Sequence, residues 1–187
     1  MPRAMNWDTA VERFKIPRMY QGASLDCVEK INPSLAKVGR NWLGSPRKQS
    51  LYLSGNTGSG KTYFGIALLK GLIDQNKYPW IIYKRSYELD DELLKSVEDR
   101  NEAFVLEKYH EVPFLFLDDL GVERVNDRII KQYYSIIDTR TSNYLPTIFN
   151  SNISLSKIKN NLGERISSRL EMVVEILFPD RDLRKEL

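Results

Sequence analysis

At 187 residues, with 28 Lys and Arg against 25 Asp and Glu and a formal charge of +3, the chain has the length of a single domain. Its 42% hydrophobic and 11% aromatic content supports a buried core and excludes a disordered or fibrous polypeptide. One cysteine, Cys27, rules out an intramolecular disulfide or a multi-cysteine zinc site, and one histidine, His110, leaves no histidine pair for a metal and no ordinary Ser-His-Asp triad. The N-terminal residues are polar and charged, and apolar runs such as Phe114-Leu115-Phe116-Leu117 fall far short of the roughly 20 residues that span a bilayer. A soluble, cytoplasmic protein with no membrane partner is expected.

Charge is unevenly distributed: residues 1–50 carry +5, 51–83 carry +2, 84–127 carry −7 and 128–187 carry +3. Basic ends around an acidic middle fit a cationic face for nucleic acid, and fit an ordinary solvated surface equally well.

In chain order, residues 1–48 read as a helical or irregular lead-in. Asn32-Pro33 has the form of a helix cap followed by proline at the first helical position, opening a helix through Trp42 that Gly44-Ser45-Pro46 breaks. From residue 49 onward short apolar runs alternate with helical patterns. Strands are expected at 51–54, 80–83, 114–118, 147–150 and 172–177. Helical sequence falls at 61 to about 75, 87–110, 127–142 and, in short pieces, 154–170. This alternation predicts an α/β fold, a three-layer sandwich around a five-stranded, mostly parallel sheet, with 49–187 as its domain.

The first strand runs into Gly55-Asn56-Thr57-Gly58-Ser59-Gly60-Lys61-Thr62, a gapless G-x-x-x-x-G-K-[ST] with a strand before it and a helix after it. Glycines at these positions permit positive φ and aim backbone N–H groups inward as a nest for phosphate oxygens. The helix N-terminus adds its positive dipole end, Lys61 a mobile charge for the β- and γ-phosphates, and Thr62 a hydroxyl for Mg²⁺. ATP or ADP with Mg²⁺ is the expected ligand. The strand at 114–118 ends in Asp118-Asp119, at the sheet edge where open α/β folds bind ligands. Asp118 suits a Mg²⁺-associated carboxylate and Asp119 the orientation of an attacking water; the bland alternative is a turn acid before Gly121.

Two later segments separate the phosphate-loop classes. Thr147-Ile148-Phe149-Asn150-Ser151-Asn152 is a strand ending in amides, with Asn152 either a sensor of the γ-phosphate or a turn residue. Arg165 and Arg169, four apart, share one helical face, either as arginine fingers toward a neighbouring subunit or as surface ion-pair partners. No Asn-Lys-x-Asp guanine-reading motif occurs, which disfavours a GTPase, and the acidic middle disfavours the arginine-rich lid of a nucleotide kinase. Tyr83-Lys84-Arg85-Ser86-Tyr87 interleaves aromatics with cations as single-stranded DNA sites do, or is a strand end with its aromatics in the core; Lys157 and Lys159 are lesser candidates.

Together Ile16-Pro17-Arg18-Met19-Tyr20, residues 55–62, Leu117-Asp118-Asp119-Leu120-Gly121, residues 146–152 and residues 163–170 resemble, in content and order, the DnaC/DnaI-type AAA+ ATPases. These load replicative helicases and are related to the helper ATPases of insertion-sequence transposases. The resemblance covers roughly residues 14–185. It implies an AAA+ core without a C-terminal lid domain, whose ATP-bridged self-association, single-stranded DNA binding and slow hydrolysis serve a DnaB-type helicase. It further implies Lys61 and Thr62 on phosphate and Mg²⁺, Asp118 as the Mg²⁺ carboxylate, Asp119 where many relatives have Glu, and Asn152 as sensor. Arg169 is then the arginine finger before Arg165, and Ile16-Pro17-Arg18-Met19-Tyr20 lies near the adenine. A transposition helper, an inhibitor of a loader and a small nucleoside or nucleotide kinase remain as alternatives.

Overall fold

Five short apolar runs become five strands: β1 (Leu51–Ser54), β2 (Ile81–Arg85), β3 (Phe114–Asp118), β4 (Thr147–Ser151) and β5 (Val174–Leu177). They form one sheet in the order β2-β3-β4-β1-β5, and every pairing is parallel. This computed structural model describes residues 5–45, 48–121, 126–180 and 182–183. Because β4 separates β1 from β3, the phosphate loop after β1 and the carboxylates after β3 flank the end of β4. That placement makes the last residues of β4 part of the site.

Side-chain alternation along the strands divides the core in two. Leu51, Leu53, Ile81, Tyr83, Phe114, Phe116 and Ile148 pack on one face with α5 (Lys61–Asp74) and the N-terminal helices. Tyr52, Leu115, Leu117 and Phe149 pack on the other face. There they meet α6 (Ser86–Glu98), α7 (Glu102–Glu111), α8 (Asp127–Ser142), α9 (Lys159–Leu162) and α10 (Glu164–Leu170). Helix α5 lies so close to the sheet that a Cβ on Gly65 would sit 2.4 Å from the Phe116 ring.

The lead-in is more ordered than its sequence suggests. It forms α1 (Trp7–Phe14), α2 (Arg18–Gln21), α3 (Leu25–Ile31) and α4 (Pro33–Gly44). Side chains of Asn6, Ser24 and Asn32 cap α1, α3 and α4 by accepting backbone N–H groups. Ala10, Ile16, Ala23, Val28, Ala36 and Leu43 join the α5 core, so these helices belong to the same hydrophobic unit as the sheet. Helix α4 ends at Gly44, where the break was expected; Pro46 lies outside the described residues. The expected helical stretch 87–110 is two helices. The chain turns at Arg100, whose φ of 56° is left-handed, and the Asn101 N–H bonds back to Ser96 O.

One buried cation ties the second face together. Arg140 of α8 is fully buried and donates to Thr147 Oγ1 at 2.8 Å and to the carbonyls of Tyr109, Val112 and Pro146 at 2.9, 2.8 and 3.1 Å. It joins the end of α7 to the starts of β3 and β4. Burial lowers its pKa to about 9, and its neutral partners cannot offset that cost as a carboxylate would.

Candidate functional site

The loop between β1 and α5 needs its glycines. Gly55, Gly58 and Gly60 have φ of 148°, 85° and 95°. A Cβ on Gly55 would also lie 2.9 Å from the Phe178 Cβ. The loop therefore exposes backbone N–H groups at the N-terminus of a 14-residue helix, the arrangement that attracts phosphate. Lys61 Nζ donates to Gly55 O at 2.6 Å and Asn56 O at 2.7 Å, which holds the ammonium over the loop.

At the other side of the loop three strands deliver polar groups to one point. Thr62 Oγ1 donates to Asp118 Oδ1 at 3.3 Å, and the Asn150 amide donates to Thr62 Oγ1 at 2.9 Å and also to Asp118 Oδ1. Tyr83 donates its phenol to Asp118 Oδ2 at 2.8 Å. Burial raises the Asp118 pKa, as does the charge of Asp119, while hydrogen bonds from Tyr83, Asn150 and Thr62 oppose the rise. Asp119 follows at φ 60°, a left-handed conformation that aspartate tolerates better than most residues; its carbonyl accepts from Ser86 Oγ at 2.6 Å. That turn aims Asp119 out of the strand direction and into a cavity.

The cavity has a volume of about 670 Å³. Its polar floor is residues 57–62 with Asp119 and Asn152, and Met19, Tyr20, Val28, Ile31 and Leu35 of the N-terminal helices form an apolar wall. Phosphates at the floor and a flat base against the wall match this division. The segment after β5 closes one side: Asp180 accepts from Asn56 Nδ2 at 2.5 Å, and the Leu183 N–H bonds to Gly58 O at 3.0 Å.

Comparison with known proteins fits the same geometry. Residues 28–176 match the family model described as the bacterial DnaA ATPase domain. The chain belongs to the bacterial DnaA-type ATPase family, within the AAA+ proteins. Over 117 residues it is 32% identical to the replicative helicase loader DnaI of Bacillus subtilis (strain 168), an alignment covering 60% of this chain and 36% of that protein. The chain thus matches less than half the length of the curated relatives. A solved structure of DnaI superimposes with a TM-score of 0.73 at 27% identity, covering 88% of this chain and 95% of the other. A DnaA bound to AMPPCP and single-stranded DNA superimposes with a TM-score of 0.70 at 16% identity, covering 89% and 51%.

Within this AAA+ domain, Lys61, Thr62, Asp118, Asp119 and Asn152 converge on one region, whereas Arg165 and Arg169 do not line the cavity. Helix α10 packs on α8, where Arg169 Nε meets Asp138 at 2.5 Å and the Arg165 guanidinium lies 6.0 Å from the Tyr134 ring centroid. The surface-partner alternative is therefore what a single protomer presents. The Tyr83-Lys84-Arg85-Ser86-Tyr87 stretch also departs from a DNA ledge. Tyr83 is 4% exposed and bonded to Asp118, and Lys84 pairs with Glu92 at 2.8 Å, leaving Arg85 and the half-exposed Tyr87 at the surface.

Two residues are not assigned to this site from sequence: Tyr83, which reads as a DNA contact or a core aromatic, and Asn150, which reads only as part of the strand before Asn152. Strand alternation could have found both. Tyr83, Asp118 and Asn150 share the parity of Ile81, Phe116 and Ile148, the residues that face α5 and hence Thr62. A hydroxyl and a carboxylate are hard oxygen donors suited to Mg²⁺, which takes few protein ligands and fills its sphere with phosphate and water. The buried Asn150 Oδ1, without a hydrogen-bond partner among the described residues, adds a further polar atom at this point. The residues fit that ion. Among the described residues no helix is long and apolar enough to cross a membrane.

Proposed function

We propose that the chain is a Mg²⁺-dependent ATPase that self-associates through ATP and acts on a replicative helicase in the presence of single-stranded DNA. One observation carries this reading: Thr62, Asp118 and Asn150, from three separate elements, are hydrogen-bonded together beside the phosphate loop, whose residues 57–62 line a cavity of about 670 Å³. In it the loop amides and Lys61 grip the β- and γ-phosphates, and Thr62 and Asp118 hold Mg²⁺, which withdraws charge from the phosphates. Asp119 and Asn152 orient a water at the γ-phosphorus. As its oxygen bonds to the γ-phosphorus, the bond from that phosphorus to the β–γ bridging oxygen breaks and the water's proton passes by way of Asp119 to solvent, releasing ADP and phosphate. Asp119 is one methylene shorter than Glu, so its reach to that water is less and turnover is slow.

Arg169, with Arg165 beside it, acts on the γ-phosphate of an adjoining protomer, its guanidinium leaving Asp138 when a neighbour docks. The pair is partly exposed to water, which weakens it and permits the exchange. The similarity to the DnaI loader supports a helicase as partner, and the likeness to a DnaA bound to single-stranded DNA supports DNA as a second ligand.

The test is calorimetry with ATP and Mg²⁺, followed by co-precipitation with a DnaB-type helicase with and without ATP. Micromolar binding that Lys61→Ala removes, and helicase capture that requires ATP, are the expected results. No nucleotide binding by folded protein would overturn the reading; capture of helicase indifferent to ATP would overturn the helicase arm alone.

A further inference from the structure

The Asp118 carboxylate is held from both sides by residues that no phosphate-loop motif contains. Tyr83 occupies Oδ2 at 2.8 Å, from the middle of β2, the strand hydrogen-bonded to β3. Asn150 occupies Oδ1 from the end of β4, on the opposite flank, and the same amide holds Thr62 Oγ1 at 2.9 Å. Neither donor is free to move. The Tyr83 ring stands edge-on to Phe116 at 5.1 Å and to Phe14 at 6.4 Å, and Asn150 is fully buried. Arg85, two residues along the same strand as Tyr83, donates from its guanidinium to the Tyr87 phenol at 2.8 Å.

We infer that Tyr83 and Asn150 are positioning residues for the metal side of the nucleotide site. Tyr83 anchors Oδ2 and Asn150 sets Oδ1 against the Thr62 hydroxyl, so the carboxylate presents one fixed edge, the one beside Thr62, to a hydrated cation. A buried carboxylate gripped at one oxygen alone turns about its χ2 torsion, which is broad for aspartate. Gripped at both, it keeps a single orientation, and the ordering cost is met by the fold before metal arrives. The inference rests on the proposed nucleotide site and adds which groups fix its geometry.

The experiment measures affinity of the full chain for ATP in Mg²⁺ and in EDTA, for wild type, Tyr83→Phe and Asn150→Ala. Electron paramagnetic resonance with Mn²⁺ and ATP reports the metal's surroundings directly. Each variant loses one hydrogen bond to a charged group and is expected to lose at least about tenfold of the affinity that Mg²⁺ confers. Affinity in EDTA should stay within about twofold of wild type. In an Asp118→Asn background the Tyr83→Phe substitution should have no further effect on the metal dependence, since its target is gone.

Equal losses in Mg²⁺ and EDTA would assign these residues to packing and overturn the inference. So would an unchanged Mg²⁺ advantage in both variants. Should Tyr83→Phe fail to fold, Asn150→Ala carries the same test. Wild type that binds ATP equally well with and without Mg²⁺ would overturn this inference while leaving ATP binding intact; wild type that binds no nucleotide would overturn both.

Discussion

The Asn150 side-chain amide donates to Thr62 Oγ1 at 2.9 Å, joining residues 88 positions apart. The bond exists because β4 lies between β1 and β3, so the end of β4 reaches both the start of α5 and the Asp118 carboxylate. The start of α5 and the end of β3 are thereby joined through β4.

Lys61→Ala removes the ammonium that bridges Gly55 O and Asn56 O and that phosphate oxygens would recruit. Charge-assisted hydrogen bonds are worth about 1.5–3 kcal/mol, so ATP affinity should fall at least about tenfold. Calorimetry at a temperature where both proteins are folded checks this.

Arg169→Ala should leave nucleotide affinity unchanged and lower turnover about a thousandfold, the scale of an arginine finger. The ion pair to Asp138 is partly exposed, at 39% and 33% for the two side chains, so melting should shift only modestly. Mixing Arg169→Ala with Lys61→Ala should restore part of the turnover, because one protein retains the phosphate loop and the other the finger. Absence of rescue, with turnover independent of protein concentration, would refute an intersubunit site.

Arg140→Met keeps much of the side chain's bulk and removes the guanidinium donors to Thr147 Oγ1 and to the Tyr109, Val112 and Pro146 carbonyls, the last of which keeps the Leu115 N–H. Buried carbonyls left without partners cost about 1–3 kcal/mol each, offset in part by no longer burying a guanidinium. A net loss of about 3 kcal/mol in urea unfolding is expected. Loss below about 1 kcal/mol would show that the clamp is not holding α7, β3 and β4 together.

Glu92 predicts an acid-sensitive helix contact. Burial would raise its carboxyl, but Lys108, Lys84 and the Tyr109 hydroxyl outweigh it and hold the pKa at about 2 against an ordinary 4.5. A carboxyl lowered on folding stabilises fully above its unfolded value, and that contribution disappears as pH falls toward the folded one. The window is therefore pH 4.5 down to about 2. The melting temperature of wild type should drop more steeply across it than that of Glu92→Gln, and a parallel decline would refute the assignment.

Much of this fold is legible in the chain because its signals are local. Asn32-Pro33 capped α4 as expected, and each apolar run became a strand within a residue or two of its expected bounds. Residues 87–110 read as one helical stretch because their pattern is helical almost throughout; the turn at left-handed Arg100 that divides α6 from α7 is closed by the Asn101 N–H on Ser96 O, which composition does not announce. The lead-in looked irregular because three of its four helices are eight residues or shorter, too short to show a period, and they hold through burial against α5.

The chain by itself determined the phosphate loop, the carboxylates that end β3 and the alternation of strand and helix, since each depends on neighbouring residues and backbone sterics. Tertiary structure alone decided that Tyr83 belongs to Asp118 and not to the surface, that Asn150 stands beside Thr62, and that Arg169 rests on Asp138. Those pairings follow from strand order and from which helix covers which face. Such relations link residues tens of positions apart, and they take effect only when the sheet closes and water leaves the polar groups at its edge.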